Sequence, residues 1–184
     1  MGRRLQTSAL FRNSAKTWLT SPLKKTGRNT LPSFYREAEP IAWRPVLGAT
    51  ITPKDKLLIC SNGAYGDRMG NIAEYYHLDY DMLAFEETEQ VSVEYVDDYL
   101  SNNSDITHVA FVHCETTTGI LNPIKELSHI VKMHGKKLIV DCMSSFGGIP
   151  LDVNELGIDF LISSSNKCIQ GVPDSDSSSP AVRN

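Results

Sequence analysis

Between Lys56 and Ile162 the chain repeats one pattern: a short continuous apolar run, then a stretch whose apolar residues recur at helical spacing. The clearest runs are Lys56-Leu57-Leu58-Ile59-Cys60-Ser61, His108-Val109-Ala110-Phe111-Val112-His113, Lys137-Leu138-Ile139-Val140-Asp141 and Phe160-Leu161-Ile162, with a weaker one from Asp81 to Phe85. A strand with one wet face alternates apolar and polar residues. These runs do not, so both of their faces are expected to be covered. Between them, Met69, Ile72, Ala73 and Tyr76 predict a helix from Tyr65 to His77. Ser92 caps a second helix, in which Val93, Val96 and Leu100 share one face. Pro123 suits the first turn of a third, which turns Ile124, Leu127, Ile130 and Val131 inward and stops at Gly135. Leu151 to Leu156 offers one or two further turns. The fold class that follows is α/β, a mainly parallel sheet covered by helices.

The flanks have a different texture. Residues 1–45 show no sustained period and are punctuated by Pro22, Pro32, Pro40 and Pro45, so they read as an irregular leader. That leader is basic: residues 1–36 hold eight Lys or Arg and no acid, while the remainder holds ten against twenty-two acids. Such a segment fits an organelle transit peptide, a nucleic-acid arm or a plain extension. No aromatic residues are interleaved in the way nucleic-acid binding requires. Residues 46–173 are the expected folded region, and the polar tail 174–184 is expected to be disordered. No apolar run approaches a membrane span. Cys60, Cys114, Cys142 and Cys168 lie far apart and read as reduced thiols, which favours the cytoplasm, with the mitochondrion as the alternative if the leader is a transit peptide.

Four of the expected strands end in polar groups: Asn62, Thr116 with its neighbours, Asp141 and Lys167. In a parallel sheet these ends lie on one side and can converge on one crevice. A lysine that forms a bond to an aldehyde, with an aspartate for a ring nitrogen, is the pair that pyridoxal 5'-phosphate requires. Tyr65 is placed to stack on such a ring and Thr116 to meet its hydroxyl. Each residue also has a plainer reading: Lys167 a surface amine, Asp141 a turn cap, Tyr65 core, Thr116 a local turn. Cys114 beside His113 is a rival nucleophile, although neighbours on a strand face opposite ways. The histidines lack metal-site spacing, so no metal is expected. Neither a GxGxxG after the first strand nor a GxxxxGK[ST] is present.

Longer motifs sharpen this. Cys60-Ser61-Asn62-Gly63-Ala64-Tyr65-Gly66-Asp67-Arg68, His113-Cys114-Glu115-Thr116-Thr117-Thr118-Gly119, Val140-Asp141-Cys142-Met143-Ser144-Ser145-Phe146-Gly147 and Ser164-Ser165-Asn166-Lys167-Cys168 resemble the class V aminotransferases. The second and fourth are most similar to members that move the amino group of 2-aminoethylphosphonate to pyruvate. The resemblance implies the core of a fold-type I large domain, pyridoxal 5'-phosphate as cofactor, those two compounds as substrates and a homodimer. It implies that Lys167 is the catalytic lysine and holds the cofactor, and that Asp141 pairs with its ring nitrogen. It places Tyr65 against the ring face, Thr116 at the ring's phenolic oxygen and Asn166 near the phosphate.

The same resemblance implies a glycine loop ahead of Val46, where this chain reads Pro40-Ile41-Ala42-Trp43-Arg44-Pro45. Beyond Pro173 it implies a smaller C-terminal domain with a substrate-gripping arginine, where this chain has Asp174 to Asn184. The expectation is therefore a partial large domain with impaired activity. The alternatives are another class V activity, acting on alanine and glyoxylate or serine and pyruvate, a fragment that acts only by association, or a thiol enzyme using Cys114.

Overall fold

A computed structural model describes residues 43–164 and 166–170. It contains helix α1 (Trp43–Thr50), strand β1 (Lys56–Ser61), α2 (Ala64–Tyr75), β2 (Asp79–Ala84), α3 (Val93–Asn102), β3 (His108–Val112), α4 (Ile124–Met133), β4 (Lys137–Asp141) and β5 (Phe160–Ile162). The five strands form one sheet in the order β2-β1-β3-β4-β5, and every pairing is parallel.

The continuous apolar runs have the expected cause. Alternate residues of each strand feed two separate cores, one on each face of the sheet. Leu58, Cys60, Val109, Phe111, Leu138 and Val140 pack with Val96 and Leu100 of α3 and Leu127 and Val131 of α4. Leu57, Ile59, Ala110, Val112 and Ile139 pack on the other face with Trp43 and Leu47 of α1 and Met69, Ile72 and Ala73 of α2. Leu57, Leu58 and Ile59 are consecutive and fully buried, each stabilising the fold by roughly 2 kcal/mol.

Several local expectations hold. Ser92 Oγ accepts from Tyr95 N at 3.2 Å and caps α3. Gly135, at φ 68°, ends the α4 segment in the left-handed region that glycine tolerates.

Others shift. β2 runs from Asp79 rather than Asp81, because it is an edge strand in which Leu83 alone is buried, so its pattern carries little apolar signal. Helix α2 stops at Tyr75, short of His77, which adopts φ 54°. Pro123 lies just outside α4, at its N-cap. Leu151 to Leu156 forms turns rather than a helix, with Asp152 Oδ1 accepting from Asn154 N and Glu155 N at 2.9 and 3.1 Å.

The irregular reading of residues 1–45 fails at its end, since α1 begins at Trp43. Pro45 is compatible with that helix because the first turn has no use for its missing N–H. The rest of the leader, Ser165, Gly171 to Pro173 and the tail lie outside the described residues. Among the described residues no helix is long and apolar enough to cross a membrane.

The chain leaves β1 toward β2 on one side and returns to β3 on the other. The loops after β1 and β3 therefore part at the carboxyl edge, where an α/β sheet opens its crevice.

Candidate active site

Lys167 sits in the turn that follows β5, half-buried. Its Nζ donates to Ser144 Oγ at 3.1 Å and to Thr116 Oγ1 at 3.4 Å, and lies 5.3 Å from the centroid of the Tyr65 ring. The two hydroxyls meet each other at 2.5 Å. Loops from three strand ends and the first turn of α2 thus bring one amine, two hydroxyls and one aromatic face together.

Tyr65 is fixed from behind. Its backbone N–H donates to Glu115 Oε1 at 3.3 Å, and Thr117 Oγ1 donates to the same oxygen at 3.3 Å. Glu115 is fully buried, and its Oε2 has no hydrogen-bond partner among the described residues. The carboxylate reaches the start of α2 because Gly63 carries no side chain. A Cβ there would stand 2.6 Å from Glu115 Cγ. The Arg68 guanidinium also approaches the Tyr65 ring, at 5.7 Å from its centroid.

Asp141 closes the floor of the edge at the end of β4 and is 2% exposed. Its Oδ1 accepts from Met143 N at 2.8 Å and its Oδ2 from Trp43 Nε1 at 2.7 Å. Burial pushes its carboxyl up to about 6, against the pull of those two donors and the Lys167 charge.

Of the residues expected at the site, Lys167, Thr116 and Tyr65 meet directly, and Asp141 lies at the adjacent strand end. Asn166 is exposed and makes no hydrogen bond to this cluster among the described residues. Asn62 does not join it either. Its amide donates to Asn122 Oδ1 and Glu89 O and accepts from Asn122, which itself holds Val112 O, so it is spent on tying loops together.

The thiol alternative finds no support here. His113 Nδ1 is paired with Ser145 Oγ at 2.9 Å rather than with Cys114, and burial pulls its imidazole down to about 4. Burial and the neighbouring Cys168 push the Cys114 thiol up, away from the reactive thiolate. Sequence reasoning missed Ser144, Glu115 and Trp43. Ser144 and Glu115 lay inside motifs already singled out, whereas Trp43 stood in a proline-punctuated stretch without any signal.

The geometry has a family context. The class-V aminotransferase family model matches residues 42–172. A 2-aminoethylphosphonate–pyruvate transaminase of Bacteroides fragilis is 86% identical over 128 residues, which are 70% of this chain and 35% of that protein. A protein of the same name from Vibrio cholerae is 56% identical over 127 residues, 69% of this chain and 35% of its own length. The chain therefore spans about a third of the curated relatives it matches. Among solved structures, the pyridoxamine–pyruvate aminotransferase of Mesorhizobium loti superposes with a TM-score of 0.68 at 29% identity, over 72% of this chain and 34% of that one. The parallel sheet, the lysine–hydroxyl–tyrosine cluster and a family match over most of the folded residues agree: the chain belongs to the class-V aminotransferases.

Proposed function

We propose that this chain carries the lysine-bearing part of a pyridoxal-phosphate site, and that its activity is transfer of the amino group of 2-aminoethylphosphonate to pyruvate, giving phosphonoacetaldehyde and alanine. The observation that carries the reading is Lys167, whose amine is aimed by Ser144 and Thr116 across the face of Tyr65. Membership of the family implies pyridoxal phosphate, and the residues present fit it: an amine for its aldehyde, an aromatic face for its ring and a buried carboxylate for its ring nitrogen. When bound, that cofactor acts as an electron sink for the substrate carbon that carries the amine.

The chain's own residues do the rest. Lys167 would hold the cofactor, and its Nζ, once released from it, would take and return the proton at that carbon, while the two hydroxyls keep the amine oriented. Thr116 serves the ring's hydroxyl side, Asp141 the ring nitrogen and Asn166, from its exposed place, the phosphate side. The high identity to bacterial 2-aminoethylphosphonate–pyruvate transaminases supports the choice of substrates, and a homodimer in the cytoplasm completes the proposal.

The test is chemical labelling of the full chain. Pyridoxal phosphate is added, reduced in place with borohydride and located by peptide mass. The expected result is one modified peptide containing Lys167, with none in Lys167→Ala, followed by alanine formation from 2-aminoethylphosphonate and pyruvate. Labelling spread evenly over surface lysines in a folded chain would overturn the cofactor site. Site-specific labelling with no turnover of that donor would overturn the substrate assignment alone.

A further inference from the structure

The contact that the family reading does not account for is Trp43 on Asp141. The two residues are 98 positions apart, both almost wholly buried, and joined by a 2.7 Å bond from the indole Nε1–H to Oδ2. The other carboxylate oxygen is already taken by Met143 N. So the group meant for a ring nitrogen already holds one: a flat aromatic N–H, pointed at the oxygen that a protonated pyridine would use. The indole supplies the hydrogen bond without the charge, and a charged donor makes the stronger bond.

We propose that Trp43 is an internal plug, standing in for the cofactor's ring nitrogen against Asp141 and having to withdraw before a protonated ring can pair there. The inference rests on Asp141 being the ring-nitrogen partner, as proposed above.

Helix α1 is short and held by few residues. It has eight residues, far too few to be stable alone, and Trp43 and Leu47 are its only buried ones. It is joined to β1 by a turn in which Asp55 accepts from Thr52 N and Thr52 Oγ1 at 2.9 and 2.5 Å, a hinge that survives movement of the helix. Trp43 belongs to the buried cluster that includes Leu57, Ile59, Val112, Ile139 and Met143, and its Nε1 lies 2.7 Å from Asp141 Oδ2, so its departure would open space beside the carboxylate. Cofactor affinity is thus reduced by the population in which the plug is seated.

The chain has two tryptophans, Trp18 and Trp43, so Trp18→Phe leaves a single indole N–H resonance to follow in the full chain. In the free protein that resonance should be protected from exchange. Saturating pyridoxal phosphate should move it and lower its protection by about a hundredfold, as for a group passing from core to solvent. In parallel, Trp43→Phe, which keeps a ring but removes the donor, should bind the cofactor about tenfold more tightly in equilibrium dialysis, the scale of one charged hydrogen bond.

If the resonance stays protected in the loaded protein and Trp43→Phe binds equally or more weakly, Trp43 is a fixed support for Asp141. The plug is then overturned and the cofactor site stands. If neither protein binds cofactor while the resonance remains protected, the cofactor reading fails and takes the plug with it. The resonance titration needs no core substitution, so it decides the matter even if Trp43→Phe folds poorly.

Discussion

At the amino edge of the sheet, charged groups meet charged groups. Lys56 Nζ lies 2.8 Å from Asp81 and 3.1 Å from Asp105, and Lys132 pairs with Asp159, which also accepts from Leu138 N at 2.8 Å. Within that cluster the ion pairs favour the ionised forms: Lys56 is raised by its two aspartates, and Asp105 is lowered by Lys56. At the carboxyl edge the side-chain hydrogen bonds described above run to neutral groups instead. Lys167 faces hydroxyls and a ring, Asp141 faces an indole and an amide, and Glu115 keeps one buried oxygen without a partner. The difference separates charge used to hold a fold from a carboxylate held ready for a ligand, because burial disfavours ionised Asp141 and a cation arriving there offsets that cost.

The strongest test of that contrast removes one charge at the carboxyl edge. Asp141→Asn should weaken pyridoxal phosphate binding by at least about tenfold, since a full counter-charge to the ring nitrogen is lost. Its stability at pH 8 should nevertheless hold or rise. The reason is the sign of the shift. Burial lifts the carboxyl from 3.8 to about 6, so the folded state disfavours the ionised form and loses stability as pH rises through that window. That cost reaches about 3 kcal/mol above pH 6. Denaturant unfolding at pH 8 checks it. A collapse in stability would mean that Trp43 and Met143 need the carboxylate as an acceptor, and that the carboxyl edge is as structural as the amino one.

How much of this was legible follows the same division. β1, β3 and β4 announce themselves because both faces are buried, and Thr116, Tyr65 and Asp141 because they terminate or follow such strands. Lys167 instead follows the short edge strand β5 and was marked by the apolar run Phe160 to Ile162 giving way to serines. What stayed hidden depended on partners distant in the chain. Asn62 looked like another site residue, yet its amide is consumed by Asn122, 60 positions away. β2 was displaced by two residues because an edge strand with a single buried residue carries almost no apolar pattern. Trp43 was unreadable because no local period marks a helix whose purpose lies against β4.

A second, comparable effect separates the site from its supports. Burial pulls His113 down to about 4, so the unfolded chain takes up a proton below pH 6.5 that the folded chain refuses. Its contribution is complete above pH 6.5 and lost as pH falls toward 4, by about 3 kcal/mol, opposite in sign to that of Asp141 over their common range. His113→Asn keeps an amide donor or acceptor toward Ser145 Oγ without the titration. Its stability, measured from pH 7 to 4, should lack the acid-side fall, while cofactor labelling at pH 7 is unchanged. An unaltered acid profile would mean that His113 is more solvated than its 2% exposure indicates.

The smallest effect belongs to the amino edge. Asp105→Asn removes one of two aspartates around Lys56, and Asp105 is 62% exposed, so water and salt already screen it while Asp81 remains at 2.8 Å. The melting temperature should drop slightly at low salt and coincide with wild type at 1 M salt, where the screening length is about 3 Å. Labelling at Lys167 should not change at either salt concentration. A drop that persists in high salt would show that this edge also holds its charges away from water. The contrast between the two edges would then rest on the identity of the partners rather than on access to solvent.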